Sequence, residues 1–364
     1  MLGKDNWQET KERFTAWWHH EKTDRPLMRV VARNHDPSVA MEPMDLHEKP
    51  ADLYLNVENA VKTMRYNCKT SRFLAEAYPN MSMDLGPGSM ALYLGSEPVF
   101  AWDTVWYAEC VKDWNEFGPL RFNPDNRWWK KHQQMLKQAR LLAGDDFLIN
   151  IPDIIENVDI LSAMRGPQAF CYDLVDEPEM MKSYVEQIDN LYFHYYDTLY
   201  DMLKMPDGSS GYTAFQIWGP GRTAKIQCDF CSLMSPAQFR DFVQPSLRKQ
   251  CKRLDNSLYH LDGPDAIKHL DALMEIEELN ALQWTSGAGQ PDGGSVKWYP
   301  VYDKVKNAGK GIWTSISDGD FTDWVNSADR LVKRYGSREL FLLFPEMEQA
   351  QADELLRKAE RDWK

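Results

Sequence analysis

Short apolar runs alternate with longer amphipathic stretches along most of the chain. The apolar runs predict strands at residues 26–33, 147–152, 212–218, 257–261, 280–284, 311–316 and 339–344. Helical spacing and helix start or stop residues predict helices at residues 177–203, 235–254, 264–276, 298–309, 321–336 and 348–363. A repeated order of strand then helix is typical of parallel β-α-β units.

This alternation predicts an α/β fold, and specifically a (β/α)8 TIM-type barrel, because the predicted strands come close to the eight of a closed barrel. We expect one barrel domain over residues 1–364. Residues 35–130 are less regular, and we expect them to form an irregular elaboration of helices and loops that caps the barrel. A doubly wound open sheet is the alternative, but no Gly-x-Gly-x-x-Gly motif follows the first predicted strand.

Charge and cysteine usage narrow the class of protein. The net charge is −13, and a surface without a basic stripe cannot displace counterions from a phosphate backbone, so we expect no nucleic-acid partner. No apolar run is long enough to cross a bilayer, so we expect no membrane partner. The six cysteines form no disulfide framework, which predicts a cytoplasmic protein. We interpret Cys228 and Cys231 as two partly buried thiols rather than a redox pair.

Polar and aromatic residues recur at the carboxyl ends of the predicted strands, where a parallel barrel places its functional side chains. Each of them alone also suits a helix cap or barrel packing. Their convergence on one end nevertheless favours a site, for which the candidates are Asp153, Asn157, Asp159, Trp218, Asp229, Tyr259, His260, Asp262, Trp284 and Glu346.

His260 and Asp262 form the sharpest pair among these candidates. Residues two apart on a strand point to the same side, so both side chains can face one point at the barrel mouth. Zinc accepts imidazole nitrogen and carboxylate oxygen, and a third ligand from another strand would complete the site. The alternative is a hydrogen-bonded histidine, followed by an aspartate that ends the strand before Gly263 and Pro264.

Four segments resemble the uroporphyrinogen decarboxylase-like superfamily: FTAWWHHEKTDRPLMRV, RGPQAFCYDLVDEPEMM, SPAQFRDFVQPSLRK and YHLDGPDAIKHLDALMEIEELNALQWTSGAGQP. The resemblance covers most of the chain and is strongest from about residue 147 onward. It implies an α/β barrel. The superfamily includes the heme-pathway decarboxylase and zinc-dependent methyltransferases that work with corrinoid proteins.

The resemblance favours the methyltransferase branch. The decarboxylase branch grips substrate carboxylates with paired arginines on one turn, and the stretch EKTDRPLMRVVARN lacks that spacing. We therefore predict that uroporphyrinogen is not a substrate. The methyltransferase branch has His-x-Cys after a middle strand and a further Cys after the last strand. Here His260 and Asp262 stand at the first motif, and Glu346 falls near the second cysteine.

With two carboxylates in place of two cysteines, hard oxygen ligands replace soft sulfur ligands at the implied metal site. His260, Asp262 and Glu346 are therefore expected to bind zinc or another, harder divalent metal. Such a site suits an oxygen- or nitrogen-bearing methyl donor, because the metal can polarise the leaving atom. We expect transfer of the methyl group to a corrinoid protein, with cobalamin carried by that partner.

The methyltransferase interpretation suggests a role for each of the remaining candidate residues. We expect Asp229 and Asp159 to be catalytic, by orienting the substrate or protonating the leaving group. We expect Trp218, Tyr259 and Trp284 to bind the substrate as an apolar wall or by cation–π contact. We expect Asp153 and Asn157 to bind its polar groups. Two other functions stay open at this point: a decarboxylase or lyase acting on a small carboxylic acid, and a non-catalytic small-molecule or corrinoid binding protein.

Overall fold

The computed structural model describes residues 1–364 and has a mixed α/β architecture around a large sheet. Its strands, numbered along the chain, are β1 (Leu27–Arg33), β2 (Ser71–Ala75), β3 (Asn80–Met81), β4 (Glu97–Phe100), β5 (Val105–Ala108), β6 (Leu148–Ile149), β7 (Ser210–Tyr212), β8 (Ile217–Gly219), β9 (Thr223–Gln227), β10 (Asn256–Asp262), β11 (Ala281–Thr285), β12 (Gly311–Ser315) and β13 (Leu340–Leu343).

Seven of these strands form the central sheet, in the order β2-β1-β13-β12-β11-β10-β9. All neighbours are parallel except β2, which pairs antiparallel with β1. Three two-stranded sheets pair β3 with β6, β4 with β5, and β7 with β8. The parallel strands confirm the α/β class predicted from the alternating sequence pattern.

Backbone pairing does not close the sheet into a ring. Strand pairing is continuous from β9 through β10, β11, β12 and β13 to β1. The part of a barrel between β1 and β9 is represented only by short pairings: the β3–β6 pair, a parallel bridge between Ile151 and Tyr212, and the β7–β8 hairpin. No strand pairing joins this part to β9 or to β1. The fold is therefore a mostly parallel α/β sheet with many helices, and closure of the predicted eight-stranded barrel is not detected.

Helices cover the sheet, and none of them combines the length and the apolar character that crossing a membrane requires. They are α1 (Trp7–Trp18), α2 (Pro50–Leu55), α3 (Val57–Thr70), α4 (Met90–Tyr93), α5 (Trp114–Phe117), α6 (Arg127–Ala143), α7 (Asn157–Arg165), α8 (Pro167–Asp176), α9 (Pro178–Leu203), α10 (Pro236–Gln238), α11 (Gln244–Cys251), α12 (Leu270–Met274), α13 (Tyr299–Asn307), α14 (Phe321–Tyr335) and α15 (Gln349–Asp362).

The predicted helix over residues 235–254 is interrupted by a π-helical turn at Phe239–Val243. Pro245 lies two residues after this turn and supplies no backbone N–H, so the regular hydrogen-bond ladder cannot run through this point. Similarly, the predicted helix over residues 264–276 begins as a 3-10 segment, Pro264–His269, before α12.

Two strand predictions differ from the structure in an informative way. The predicted strand over residues 212–218 is the turn of the β7–β8 hairpin with parts of its two strands. The strand that belongs to the central sheet is β9, five residues in which small or apolar positions alternate with Thr223, Lys225 and Gln227. Strand β9 was not predicted from the sequence, because three of its five positions are polar, whereas buried parallel strands are usually continuous apolar runs. The alternation of these positions with small or apolar ones is nevertheless typical of a strand.

Helix α1 seals one end of the central sheet. Phe14 lies edge-on against Phe341 of β13, with 5.5 Å between the ring centroids, and Trp17 packs on the same ring at 5.7 Å. The Trp17 indole N–H also donates to the carbonyl oxygen of Glu339, just before β13 begins. Since α1 covers the amino ends of the strands, the open mouth is at their carboxyl ends.

The segment 35–130 contains α2 to α5, the antiparallel β4–β5 hairpin, and the short strand β3. Strand β2 of the central sheet also lies within this segment, and an irregular elaboration that caps the barrel stays a prediction for these residues. Tyr107 on β5 of the hairpin donates a hydrogen bond to the carbonyl oxygen of Leu85, 3.1 Å away. This contact ties the hairpin to the segment that follows β3, beside the mouth.

Candidate metal centre and adjoining cavity

The mouth is built on three adjacent parallel strands, β9, β10 and β11. Their register places Gln227, His260 and Gln283 in one row across the sheet. Because side chains alternate along a strand, His260 and Asp262 point into the mouth together. Tyr259, one residue earlier, is buried on the other side of the strand. After Asp262 the chain turns away at Gly263, whose φ of +76° suits glycine.

Asp229, His260 and Asp262 converge at this mouth. One ligand atom from each of the three side chains lies within 4.8 Å of the other two. His260 is half-buried, and the two aspartates are exposed to solvent. One imidazole nitrogen and two carboxylate oxygens are a donor set that suits zinc or a harder divalent ion, and an open fourth position suits catalysis. The residues therefore fit a divalent metal.

Gln283 orients the imidazole of His260. Its side-chain NH2 donates to the hydroxyl of Thr285 at 2.8 Å, so its carbonyl oxygen faces Nδ1 of His260 and accepts a hydrogen bond from it. That bond leaves the lone pair of Nε2 free for a metal. The ring of Phe215 lies 4.9 Å from the imidazole centroid and restricts its rotation further.

A second glutamine, Gln227, holds the carboxylate of Asp229. Its side-chain NH2 donates to Asp229 Oδ2 at 2.7 Å, and its oxygen accepts a hydrogen bond from Lys225. Lys225 is almost fully buried and forms an ion pair with Asp153 at 2.7 Å. The chain of contacts from Asp153 through Lys225 and Gln227 thus fixes the direction of one candidate ligand.

The start of α7 clamps the loop that carries Asp229. Asp159 Oδ2 accepts from the backbone N–H of Asp229 at 2.8 Å, and its Oδ1 accepts from the N–H of Phe230 at 2.8 Å. Glu156 accepts from the backbone N–H of Gln227 at 2.7 Å. Asn157 donates to the carbonyl oxygen of Gln227 at 2.7 Å. The backbone N–H and C=O of Gln227, the last residue of β9, are therefore both attached to the start of α7.

Backbone strain accompanies this clamp. Ile155 and Asn157 both adopt left-handed φ values, 50° and 51°, that side chains other than glycine rarely take. Such strain persists only where the surrounding contacts over-determine the conformation, and it concentrates at functional sites.

Burial raises the pKa of several carboxyl groups around the mouth. Glu156 loses its hydration almost completely, which raises its pKa to about 8 although Lys225 opposes the shift. Desolvation and the neighbouring Asp229 raise the pKa of Asp159 to about 6. Asp229 is in contact with solvent, but partial desolvation of its carboxyl group raises its pKa, and the nearby His260 opposes this shift. Clustered raised carboxyl pKa values of this kind are typical of functional sites.

A cavity of about 560 Å³ adjoins the candidate metal centre. Asp229 belongs both to the three-residue group and to the cavity wall, so the two features meet at its carboxylate. The opposite wall is the β4–β5 hairpin with Trp106 and Tyr107, and Phe230 and Leu233 follow Asp229 on the near side. A cavity of this size accommodates a small organic molecule.

The structure places the predicted residues in three different settings. It brings His260, Asp262 and Asp229 together, and it puts Asp159 directly behind Asp229. It does not bring Glu346 into that group, because its half-exposed carboxylate lies 3.9 Å from Arg33 Nε. Asp229, predicted as a catalytic group, takes the third position instead.

The residues predicted to bind substrate lie behind the mouth rather than in the cavity wall. Asp153 and Asn157 are engaged by Lys225 and the backbone of Gln227. The aromatic candidates are almost completely buried: Trp218 packs at 5.6 Å on Trp7 and Trp284 at 4.9 Å on Trp298, and Tyr259 points away from the mouth. Their role in substrate binding stays a prediction that these positions do not support.

Glu156, Gln227 and Gln283 hold or orient the candidate ligands, and none of the three was assigned a role from the sequence. The two glutamines had a detectable signal, since each is a polar residue at a mouth-facing position of an otherwise apolar strand. Cys228 and Cys231 are free thiols, and both are almost completely buried, more deeply than the partly buried thiols predicted.

Sequence comparisons find no matching family and no matching curated protein. The fold, in contrast, is similar to that of a solved structure, a methyltransferase from Methanosarcina mazei. The similarity covers 97% of this chain and 98% of that chain, with a TM-score of 0.61 and 14% sequence identity. At this level of identity the comparison shows a shared fold, which extends over essentially the whole of both chains.

Proposed function

We propose that this protein is a metal-dependent methyltransferase that moves a methyl group from a small O- or N-methyl compound to a corrinoid protein. The observation that carries the proposal is the convergence of Asp229, His260 and Asp262 within 4.8 Å at the open mouth. The fold shared with the Methanosarcina mazei methyltransferase supports it. The sequence resemblance to corrinoid-dependent methyltransferases points to the same reaction class.

Asp229, His260 and Asp262 would hold zinc or another divalent metal. A divalent ion held there supplies Lewis acidity toward the heteroatom from which the methyl group leaves. The chain itself contributes orientation, because Gln283 fixes the imidazole and Gln227 fixes the Asp229 carboxylate before any ligand binds. Neutral amides suit this task, since they orient the ligands without adding charge.

Transfer of the methyl group leaves the electron pair of the broken bond on the oxygen or nitrogen, which then takes up a proton from solvent at the open mouth. The methyl carbon forms its new bond with an electron pair of the corrinoid acceptor. Solvent exposure of Asp229 and Asp262 keeps one side of the site open, as delivery to a partner protein requires.

The test combines metal content with activity. Protein stripped by a chelator and reconstituted with zinc is expected to bind one ion per chain, as measured by elemental analysis. The loaded protein is then expected to demethylate O- or N-methyl compounds only when a corrinoid protein is present. Absence of metal after reconstitution, or turnover that is independent of both metal and corrinoid, would overturn the proposal.

A further inference from the structure

The turn between β7 and β8 reaches across the mouth. We call its four residues, Thr213–Gln216, the crossing turn. On the side of β3, Asn80 donates from its side-chain NH2 to Gln216 Oε1 at 3.1 Å. On the side of β12, the indole N–H of Trp313 donates to the carbonyl oxygen of Phe215 at 2.9 Å. Since β3 and β12 are not neighbours in any sheet, the crossing turn spans the space between them.

The crossing turn has a strained backbone that its neighbours hold in place. Gln216 has a φ of 54°, in the left-handed region that residues other than glycine rarely adopt. Its side-chain NH2 donates to the carbonyl oxygen of Thr213 at 2.8 Å, and the hydroxyl of Tyr78 donates to the carbonyl oxygen of Ile217 at 2.7 Å. Strain of this kind persists where contacts over-determine a conformation, and it concentrates at functional sites.

Phe215, on the crossing turn, lies over one face of the candidate ligand His260. The two ring centroids are 4.9 Å apart and the ring planes are tilted by 34°, while Trp313 stands edge-on to the same phenyl ring at 5.6 Å. Strand register places His260 and Trp313 in one row across β10, β11 and β12, with Gln283 between them. The half-buried phenyl ring therefore lies against both ends of this row.

The cavity beside Asp229 lies on a different side of the candidate metal centre. Asp229 and Gln227 belong to its wall, whereas no residue of the crossing turn lines it. The face of His260 under Phe215 is covered by a ring whose own backbone is held by Trp313. The metal centre is thus open toward the cavity and covered toward the crossing turn.

We propose that Phe215 is a specificity-determining residue, which shields His260 and confines ligands of the metal centre to the side of the cavity. Its ring limits the size of a ligand at the metal although it coordinates nothing. Well-packed side chains resist displacement, and a difference of one methylene group in a pocket is worth about 10- to 200-fold in discrimination. This inference rests on the proposed function, because it assumes that Asp229, His260 and Asp262 bind a metal.

Chemical modification of His260 tests the shielding in the complete apo-protein. Diethyl pyrocarbonate acylates accessible imidazoles, and peptide mapping by mass spectrometry gives the rate at each histidine. Phe215→Ala should raise the rate at His260 several-fold, because the covering ring is lost. His35, whose side chain is 73% exposed, serves as the internal reference and should react equally in both proteins. An unchanged rate at His260 would overturn the shielding.

Phe122 offers a matched control for this variant. Its ring also packs against a histidine, His194, with 4.0 Å between the centroids, but neither residue belongs to the metal centre or to the cavity wall. Phe122→Ala should leave the rate at His260 unchanged. Phe215→Leu keeps an apolar side chain in the crossing turn, and should give an intermediate rate even if the alanine variant is unstable. Equal increases at His260 in Phe122→Ala and Phe215→Ala would contradict a specific shield.

Cobalt(II) in place of zinc reports ligand binding directly, since its visible absorption changes when an added ligand coordinates. Imidazole and benzimidazole present the same type of donor nitrogen with different bulk. Phe215→Ala should favour benzimidazole over imidazole by at least about 5-fold relative to the wild type, because the fused ring enters the vacated space. An unchanged ratio would contradict the role of Phe215 in limiting ligand size.

The two readouts separate this inference from the function on which it rests. If Phe215→Ala exposes His260 but neither protein retains cobalt, the metal-dependent methyltransferase proposal fails and the shielding by Phe215 stands. If cobalt is retained and the ratio of the two ligands does not change, the inference about Phe215 fails alone.

Discussion

Two walls of the same mouth carry carboxylates directly after parallel strands, and they differ in what surrounds those carboxylates. On the β9–β10 wall, Asp229 and Asp262 lie beside His260, and this cluster is held by two glutamines and by Asp159, which accepts from the backbone N–H of Asp229. On the β13 wall, Glu346 lies near Arg33 in solvent. A carboxylate at a strand end becomes a candidate ligand when its neighbours orient it, and a surface ion pair when they neutralise it.

The largest expected difference between the walls is in metal affinity. Asp229→Asn should weaken zinc binding by more than about 100-fold, because loss of a direct ligand exceeds the 10- to 100-fold typical of an outer neighbour. Glu346→Gln should leave zinc affinity unchanged, since this residue stands outside the three-residue group. Competition titration with a chromophoric chelator measures both. Loss of zinc in Glu346→Gln would restore the ligand set predicted from sequence.

The clamp behind the first wall should matter for stability. Asp159→Asn keeps one acceptor oxygen but replaces the other with an NH2 group, so one of the two backbone N–H groups, of Asp229 or Phe230, loses its acceptor. The free energy of unfolding should fall by about 2 kcal/mol. Glu346→Gln again serves as the exposed control, expected within about 0.5 kcal/mol of the wild type. Urea unfolding measures both values. Equal stability of the two variants would mean that α7 does not hold the Asp229 loop.

Orientation of the imidazole is expected to have a smaller effect. Gln283→Leu keeps a similar volume but removes the acceptor for His260 Nδ1, and should weaken zinc binding by about 10-fold. Arg33→Ala is the matched change on the β13 wall and should have no effect on affinity. An unaltered affinity in Gln283→Leu would show that Phe215 alone orients the ring.

A separate difference is expected in the pH dependence of stability. Burial raises the pKa of Glu156 from 4.5 to about 8, so the folded protein binds more protons than the unfolded chain between these values. Stability contributed by the protonated Glu156 should therefore fall as the pH rises through this window, by at most about 1.4 kcal/mol per pH unit. Glu156→Gln should flatten the slope in urea unfolding curves recorded from about pH 5 to 8. An unchanged slope would contradict the raised pKa.

The sequence was sufficient for the class of fold and for part of the site. Alternating apolar strands and amphipathic helices predicted the parallel sheet, because period and length of apolar runs are local properties. His260 and Asp262 were also found locally, since two residues on one strand share a face whatever the rest of the chain does. Closure of the barrel was not accessible in this way, because it depends on pairing between distant segments as short as β3 and β6.

Only the tertiary structure decided between Asp229 and Glu346 as the third member of the group. Both follow strands of the same sheet, and nothing in their local sequence distinguishes them. The register of β9 against β10 brings Asp229 beside His260, and contacts from α7, some 70 residues earlier in the chain, hold it there. Such proximity results from packing between distant segments, which no local pattern along the chain can encode.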